Sequence, residues 1–301
     1  MKNIRLLILL ARPHFLLGGV LLYALGVGIA RYLGTPIDWV VYFLGQAWVT
    51  LMQLSTHFLN EYFDSPADAN NINRTPFSGG SGAIGPGRLR RAAALWGGIG
   101  CLTAAASFTI LLMQQARLAP ETVMVMLLIF LGAFFYAVPP VKLASSGYGE
   151  LTTSILVATL VPAFGLLLQT GELHRLLAMT TFPLVFIHMA MLLAFELPDY
   201  GNDLKHEKRT ILVRLGWERG MMLHNLLVLC AYLLLGLAML MGLPVAIALP
   251  ALFTLPVGLL QIWHMQNIAA GAKPNWNLLT LTGIAMFAIT AYLLTFSLWT
   301  R

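Results

Sequence analysis

Nine apolar stretches, each about as long as a bilayer is thick, divide this 301-residue chain and restrict the folds open to it. A transmembrane helix needs about 20 consecutive and mostly apolar residues. The stretches lie at residues 14–33, 37–59, 92–113, 121–138, 150–170, 177–197, 220–241, 244–264 and 277–299. The sequence therefore predicts an all-α polytopic membrane protein with nine transmembrane helices, in which residues 1–301 form a single domain.

The composition excludes a water-soluble globule. Charged residues make up 10% of the chain and hydrophobic residues 58%, whereas a soluble domain usually carries about 25% charged residues. The same composition excludes a disordered chain and a chain that wraps nucleic acid. We therefore expect the lipid bilayer as the environment of the protein and no nucleic-acid partner.

The positions of the basic residues predict an orientation. Of the 18 Lys and Arg residues, 14 lie on the N-terminal side of the nine predicted spans and four on the other side. Cytoplasmic loops of membrane proteins carry an excess of Lys and Arg. We therefore expect a cytoplasmic N-terminus in a bacterial inner membrane, with the two longest loops, at about 60–91 and 198–219, forming a cytoplasmic polar cap.

Two acidic motifs lie in these two loops. The first contains Asn60, Asp64 and Asp68, and the second contains Asp199 and Asp203. Residues four apart share one face of a helix, and like charges at that spacing repel each other. A shared cation would remove the repulsion, and carboxylate oxygens suit Mg²⁺. The motifs therefore predict a magnesium site, which Mn²⁺ is also expected to fill.

The two motifs share a longer pattern, D-x3-D-x5-R-T. It continues to Arg74 after the first Asp pair and to Arg209 after the second, 135 residues later. The copies follow the second and the sixth predicted spans, so they point in the same direction. This spacing predicts a parallel internal repeat, with two four-helix halves and one extra helix.

Carboxylate pairs next to basic residues suggest a binding site for a diphosphate. Mg²⁺ would bridge carboxylate and phosphate oxygens, and basic side chains would neutralise the remaining charge. The candidates for that role are Arg74, Lys205, Lys208 and Arg209. An apolar bundle below the site would hold a hydrocarbon chain, so a lipid diphosphate fits both parts. The glycine-rich segment 78–87 is interpreted either as a flexible hinge or as a lid over the diphosphate.

The motifs resemble those of the UbiA superfamily of intramembrane aromatic prenyltransferases. The segment from Asn60 to Asp68 resembles the first signature, N-D-x-x-D-x-x-x-D, and the segment from Asp199 to Gly216 resembles the second with its K-R-T-x-x-V-R-L-G tail. The segment from Tyr136 to Leu151 resembles the Y-x-x-P-P-x-x-L…G-x-G-E block of the 1,4-dihydroxy-2-naphthoate prenyltransferase branch. The resemblance covers residues 10–300.

The resemblance implies Mg²⁺-dependent transfer of a polyprenyl group from a polyprenyl diphosphate to an aromatic acid. It implies catalytic roles for Asp64, Asp199 and Tyr136, contact of Lys142 with the diphosphate, and Glu61 as a further metal ligand in place of the usual Asp. Glu196 stands where the naphthoate branch often has Asn. Candidates for aromatic walls around an allylic cation are Tyr62, Phe63, Phe135, Tyr136, Phe195 and Tyr200.

The expected acceptor is 1,4-dihydroxy-2-naphthoate, a precursor of menaquinone. A benzenoid acceptor or another reaction of the superfamily are the alternatives within this class. An ion-coupled secondary transporter is the alternative from a different class, and a lipid-binding scaffold is a third. Transporter sites usually lie near the bilayer midplane, whereas the acidic residues of this chain cluster at one end of the predicted bundle.

Overall fold

The computed structural model describes residues 2–68 and 71–301, with Lys2 described by its backbone alone, and the regular structure of this part of the chain is helical. The helices are α1 (Lys2–Ala11), α2 (Pro13–Tyr32), α3 (Trp39–Asp68), α4 (Arg91–Gln115), α5 (Pro120–Ala137), α6 (Gly149–Ile155), α7 (Val161–Thr170), α8 (Arg175–Glu196), α9 (Tyr200–Lys205), α10 (Ile211–Leu215), α11 (Trp217–Leu240), α12 (Val245–Leu252), α13 (Leu255–Ala269) and α14 (Trp276–Trp299). The all-α prediction is confirmed.

Within the described residues, eight helical segments are long and apolar enough to cross a membrane. Six are the single helices α2, α4, α5, α8, α11 and α14. The seventh runs from α6 through a π-helical turn, Leu156–Leu160, into α7, and the eighth combines α12 with α13. Most of the predicted boundaries lie within about three residues of these helix ends, as expected for boundaries read from hydropathy.

The predicted count of nine spans is not confirmed, because α3 is not among the eight. This helix has 30 residues and is therefore about 45 Å long at 1.5 Å per residue. Its apolar sequence is interrupted by Gln46, Gln53 and His57, which lowers its hydropathy. Two of these polar side chains, Gln53 and His57, line the cavity described below. Two of the three residues that make α3 more polar than the other spans are therefore part of the cavity wall.

The bundle places α3 and α8 around one cavity, which residues of both helices line. α3 packs along α4, α8 packs along α11, and α2 packs between α7 and α14. The contact of α2 with α7 is close, since a Cβ added at Gly26 would lie 1.8 Å from the carbonyl oxygen of Pro162. Small residues allow such approaches between membrane helices. The acidic ends of α3 and α8 consequently meet at the same end of the bundle.

Candidate active site

A cavity of about 290 Å³ opens between α2, α3, α5, α6 and α8. One end is polar and contains the four motif aspartates, Asp64, Asp68, Asp199 and Asp203, together with Lys208. The other end is apolar, and its wall is formed by Phe15, Val49, Met52, Ile129, Ala133, Leu156, Val157, Val161, Leu192 and Phe195. The cavity thus joins a charged mouth to a hydrocarbon-like interior.

The first motif reaches this mouth because α3 continues beyond its apolar part. The spacing of four residues places Asn60, Asp64 and Asp68 on one face of the helix, and all three line the cavity. Pro66 lies in the last turn and lacks the N–H that would bond to the carbonyl of Tyr62. That carbonyl instead accepts a hydrogen bond from Arg91 Nε at 2.5 Å. The helix therefore extends to Asp68 despite the proline.

The second motif starts where α8 ends. Asp199 follows Pro198 and precedes the short helix α9, on which Asp203 lies. The chain just after the first motif is joined to the second motif, since Asn71 Nδ2 donates a hydrogen bond to Asp199 Oδ1 at 2.7 Å. Asn202 Nδ2 in turn donates to the carbonyl oxygen of Ala67 at 3.3 Å. The predicted convergence of the two motifs is therefore present in the structure.

Lys208 connects the aspartates of the two motifs. Its Nζ lies 3.0 Å from Asp64 Oδ2 and 3.7 Å from Asp203 Oδ1. Lys142 adds a second positive charge, with its Nζ 2.8 Å from Asp64 Oδ1. Burial would lower the pKa of Lys208, but Asp64, Asp203 and Asp68 raise it above its ordinary value. Lys208 is therefore a fixed cation at the mouth of the cavity.

The four aspartates have different electrostatic environments. Burial raises the pKa of Asp64, but Lys208 and Lys142 outweigh it and hold that pKa below its ordinary value. Burial raises the pKa of Asp68 to about 6 and that of Asp199 to about 7. It also raises the pKa of Asp203. The two lysines therefore compensate only part of the negative charge, and the mouth favours additional cations.

The donor set of the mouth is suitable for Mg²⁺. It consists of carboxylate oxygens and the amide oxygen of Asn60, which is buried and accepts no hydrogen bond from the described residues. No three Asp, Glu, His or Cys side chains in the described part of the chain form a metal-binding group by themselves. Mg²⁺ is usually held by one or two carboxylates plus substrate phosphates rather than by an all-protein cage. The residues present therefore fit a metal ion that shares its coordination with a diphosphate.

The other predicted diphosphate ligands occupy different places. Arg74 donates from Nη2 to the carbonyl oxygen of Asp68 and from Nε to that of Gly79, both at 2.7 Å, so it holds the segment after α3. Lys205 and Arg209 are exposed, and within the described residues their side chains make no hydrogen bond or ion pair with the acidic motifs. Their roles remain predictions.

Glu61 is buried but does not line the cavity. Its carboxylate pairs with Arg12 and accepts a hydrogen bond from the backbone N–H of Ser81 at 2.5 Å. The Oγ of Ser81 donates a further hydrogen bond to it at 2.8 Å. The role of Glu61 as a metal ligand remains a prediction, and its geometry is different from that of Asn60, Asp64 and Asp68.

Two of the six aromatic wall candidates, Tyr136 and Phe195, line the cavity. The other four have other partners: Arg91 stacks on Tyr62, Phe63 packs on Tyr62, Phe135 on Phe134, and Tyr200 on Trp217. The sequence analysis missed Phe15 and Phe77, which pack against Phe195 with ring centroids 6.2 and 5.7 Å away. Phe77 had no periodic signal, because it lies in the irregular segment between α3 and α4.

Glu150 and Glu196 also line the cavity, and the Oε2 atom of each is buried without a hydrogen-bond partner among the described residues. Glu150 Oε1 accepts a hydrogen bond from the backbone N–H of Ile211 at 2.6 Å. Glu150 belongs to the segment that resembles the naphthoate branch, and Glu196 lies just before the second motif; neither was predicted as a site residue. The sequence feature that could have identified them is an acidic residue within or next to an apolar stretch. Burying such a residue costs free energy, so it is usually functional or paired.

The glycine-rich segment reaches the mouth through Gly79 and Gly80. Gly80 has a φ of +78°, and a Cβ added there would lie 2.3 Å from Asp68 Oδ2. A left-handed backbone with no room for a side chain requires glycine. The backbone of the segment therefore lies directly against the first acidic motif.

Fold and site together define an all-helical membrane protein with two aspartate motifs at the mouth of an apolar cavity. The sequence model of the UbiA prenyltransferase family matches residues 19–273 of this chain. The chain therefore belongs to the UbiA prenyltransferase family. No curated protein gave a significant sequence match.

Three solved structures show the same fold. A UbiA homologue from Archaeoglobus fulgidus bound to GPP and Mg²⁺ has a TM-score of 0.69 at 16% identity, over 98% of this chain and 99% of that chain. A UbiA homologue from Aeropyrum pernix K1 has a TM-score of 0.65 at 14% identity, over 91% and 94% of the two chains. A structure described as digeranylgeranylglyceryl phosphate synthase has a TM-score of 0.65 at 14% identity and covers 100% of both chains. At these identities the similarity establishes the fold alone.

Proposed function

We propose that this protein transfers a polyprenyl group from a polyprenyl diphosphate to an aromatic acid in an Mg²⁺-dependent reaction. The observation that carries the proposal is the joining of two aspartate motifs and two lysines to an apolar cavity. A prenyl diphosphate has the matching structure, with a charged head and a hydrocarbon chain. Archaeoglobus fulgidus homologues have been solved with GPP and Mg²⁺ and with DMAPP and Mg²⁺, which supports the same substrate class here.

The charged end of the site activates the leaving group. Lys208 and Lys142 place two ammonium groups at the mouth, where they stabilise the charge on the departing pyrophosphate. Asn60, Asp64, Asp68, Asp199 and Asp203 are the residues that would hold Mg²⁺. When bound, the ion neutralises phosphate oxygens and so makes pyrophosphate a better leaving group.

The apolar end of the site protects the prenyl group during transfer. The allylic C–O bond breaks, and its electron pair leaves with the pyrophosphate. The aromatic acceptor then forms the new C–C bond, and the attacked ring carbon releases its former substituent, either a proton or, at the carbon that bears it, the carboxylate as CO2. The rings of Tyr136, Phe195 and Phe77 line the cavity, where aromatic faces stabilise a developing allylic cation and the apolar wall excludes water.

We propose 1,4-dihydroxy-2-naphthoate as the acceptor, within menaquinone biosynthesis. This choice rests on the resemblance of the segment from Tyr136 to Leu151 to the naphthoate branch. In the structure, four residues of that segment, Tyr136, Ala144, Gly149 and Glu150, lie on the cavity wall, where an acceptor would have to bind. A benzenoid acid is the second candidate. We further propose a bacterial inner-membrane location, with the N-terminus and both polar loops in the cytoplasm.

Product mass spectrometry tests the proposal. Membranes containing the protein are incubated with Mg²⁺, prenyl diphosphates of several lengths and a panel of hydroxynaphthoic and hydroxybenzoic acids. We expect a prenylated naphthoquinol with 1,4-dihydroxy-2-naphthoate, and its formation about a hundredfold or more slower with the Asp64→Asn protein. Prenylation of a benzenoid acid alone would show that the acceptor is benzenoid and not 1,4-dihydroxy-2-naphthoate. Prenylation of a non-aromatic acceptor such as a glyceryl phosphate would overturn the aromatic assignment.

A further inference from the structure

Glu61 differs from its neighbours in the first acidic motif. Asn60, Asp64 and Asp68 line the cavity, whereas Glu61 lies one residue further along α3 than Asn60 and is therefore rotated by about 100° away from it. Its side chain is only 3% exposed. A buried carboxylate is stable only if other groups compensate its charge.

The compensation comes from protein groups on two other segments. Arg12 forms an ion pair with Glu61 Oε1. Ser81 donates from its backbone N–H to Oε1 at 2.5 Å and from Oγ to Oε2 at 2.8 Å. Both carboxylate oxygens are thus bonded. Turning the carboxylate toward a metal ion at the mouth would break all three interactions and leave the partly buried Arg12 unpaired.

One partner of Glu61, Arg12, lines the mouth of the cavity, and the other, Ser81, directly follows lining residues. Arg12 lines the cavity and forms the junction between α1 and α2, where its own φ is +50°. Ser81 follows Gly80, whose backbone lies against Asp68. Two residues further on, Ala83 belongs to a buried apolar cluster with Leu10 of α1 and Ala94 of α4. Glu61 therefore links α3, the α1–α2 junction and the glycine-rich segment at one point.

We propose that Glu61 is a positioning residue that holds Arg12 and the glycine-rich segment at the mouth of the cavity, and that it is not a metal ligand. This inference rests on the proposed function, since the segment and Arg12 would surround the diphosphate. With Glu61 in place, the glycine-rich segment is a fixed cover over the diphosphate. Residues 78–87 are then a lid rather than a flexible hinge. Loss of the carboxylate releases the cover while the aspartates keep their positions.

Two variants remove the link from opposite sides. Glu61→Gln keeps the size of the side chain but removes the charge that Arg12 needs and one of the acceptor oxygens. Ser81→Ala removes only the bond to Oε2 and leaves α3 unchanged, so it tests the link even if the Glu61 variant folds poorly. Asp64→Asn is the matched comparison within the same motif, because Asp64 lines the cavity.

Three quantities are measured for each variant: the KM for prenyl diphosphate, the Mg²⁺ concentration at half-maximal rate, and maleimide labelling of Ala83→Cys. The labelling uses protein in which Cys101 and Cys230 are alanine. We expect Glu61→Gln to raise the KM and the labelling rate about tenfold, as for loss of a hydrogen bond to a charged group. We expect smaller increases of both for Ser81→Ala. The kcat and the Mg²⁺ requirement should stay unchanged for both, whereas Asp64→Asn should raise the Mg²⁺ requirement and leave labelling slow.

If Glu61→Gln raises the Mg²⁺ requirement as Asp64→Asn does while Ala83→Cys stays protected, Glu61 is a metal ligand and the proposal is wrong. The labelling readout does not depend on catalysis. If the wild-type protein turns over no prenyl diphosphate, the proposed function fails, and the labelling rates alone still decide whether Glu61 holds the segment.

Discussion

Replacing Asp64 with asparagine tests the electrostatic role of the cavity mouth. Asp64 is 5% exposed, and its two oxygens lie 2.8 Å from Lys142 Nζ and 3.0 Å from Lys208 Nζ. Asparagine has nearly the same shape and still offers one oxygen. The variant therefore removes the negative charge with little change in packing.

The size of the effect follows from these two contacts. A hydrogen bond to a charged group contributes about 1.5–3 kcal/mol and a neutral one about 0.5–1.5 kcal/mol. Weakening two charge-assisted contacts of this kind, the hydrogen bond from Lys208 and the ion pair with Lys142, costs about 2–3 kcal/mol. This corresponds to about 30- to 150-fold at 1.36 kcal/mol per factor of ten. In the reacting complex the same carboxylate faces the cations that accompany the diphosphate. We therefore expect kcat/KM to fall about a hundredfold or more.

The assay measures initial rates against prenyl diphosphate and Mg²⁺ concentrations at matched expression, together with Tm in detergent. Asp199→Asn, at the equivalent place in the second motif, should show a loss of similar size. Glu207→Gln and Glu218→Gln serve as controls, because both residues are exposed and lie outside the cavity wall. If the controls lost as much activity as the Asp variants, or if Asp64→Asn stayed active, the diphosphate would have to bind elsewhere.

Three further predictions follow from charge and topology. Excess EDTA should abolish turnover and Mg²⁺ or Mn²⁺ should restore it, because uncompensated aspartates repel the diphosphate; full activity in EDTA would contradict the metal assignment. In sealed right-side-out cells, an impermeant thiol reagent should label Glu172→Cys but not Ile72→Cys or Glu207→Cys, all at exposed positions; the opposite pattern would invert the orientation. Because burial raises the pKa values of Asp68 and Asp199 to about 6 and about 7, these two groups stabilise the metal-free fold most below about pH 4, and their contribution to its Tm should be lost as the pH rises from about 4 through 6–7. Substrate and Mg²⁺ should bind more tightly over the same interval, and a Tm that rises with pH without them would contradict these raised values.

The helices were predictable from the sequence because a membrane leaves a chain few alternatives. Backbone groups in lipid must bond within the segment, so long apolar stretches form helices. The cavity-facing positions Asn60, Asp64 and Asp68 followed from the helical period for the same reason. α3 shows where hydropathy is insufficient. Its polar residues Gln53 and His57 line the cavity and lower its hydropathy, so hydropathy alone does not decide whether α3 counts as a span.

The irregular segments were not predictable in this way. Phe77 and Ser81 lie between α3 and α4, where no period relates a residue to its partners. Phe77 reaches the cavity and Ser81 reaches Glu61 through turns with left-handed glycines. The sequence indicated that the segment was glycine-rich, but the contacts that fix it depend on α1 and α3 together.

The internal repeat predicted the location of the site better than it predicted the role of each residue. Some roles are shared by the two copies: Thr75 Oγ1 accepts from the N–H of Ser78 at 3.0 Å, and Thr210 Oγ1 accepts from that of Val213 at 3.3 Å. The preceding arginines differ, because Arg74 is followed by a long irregular segment that it holds, whereas Arg209 is followed almost at once by α10.

The inward cation of the second copy is Lys208, one residue before the arginine, and the first copy has Asn73 at that position. One lysine therefore serves aspartates of both copies, with Lys142 from the connection between α5 and α6 as the second cation. Two copies of the same acidic pattern repel each other at close range. Lys208 lowers this repulsion from between the two pairs, whereas Lys142 faces only Asp64 of the first pair. A duplicated motif thus produces an asymmetric set of basic residues around a single substrate.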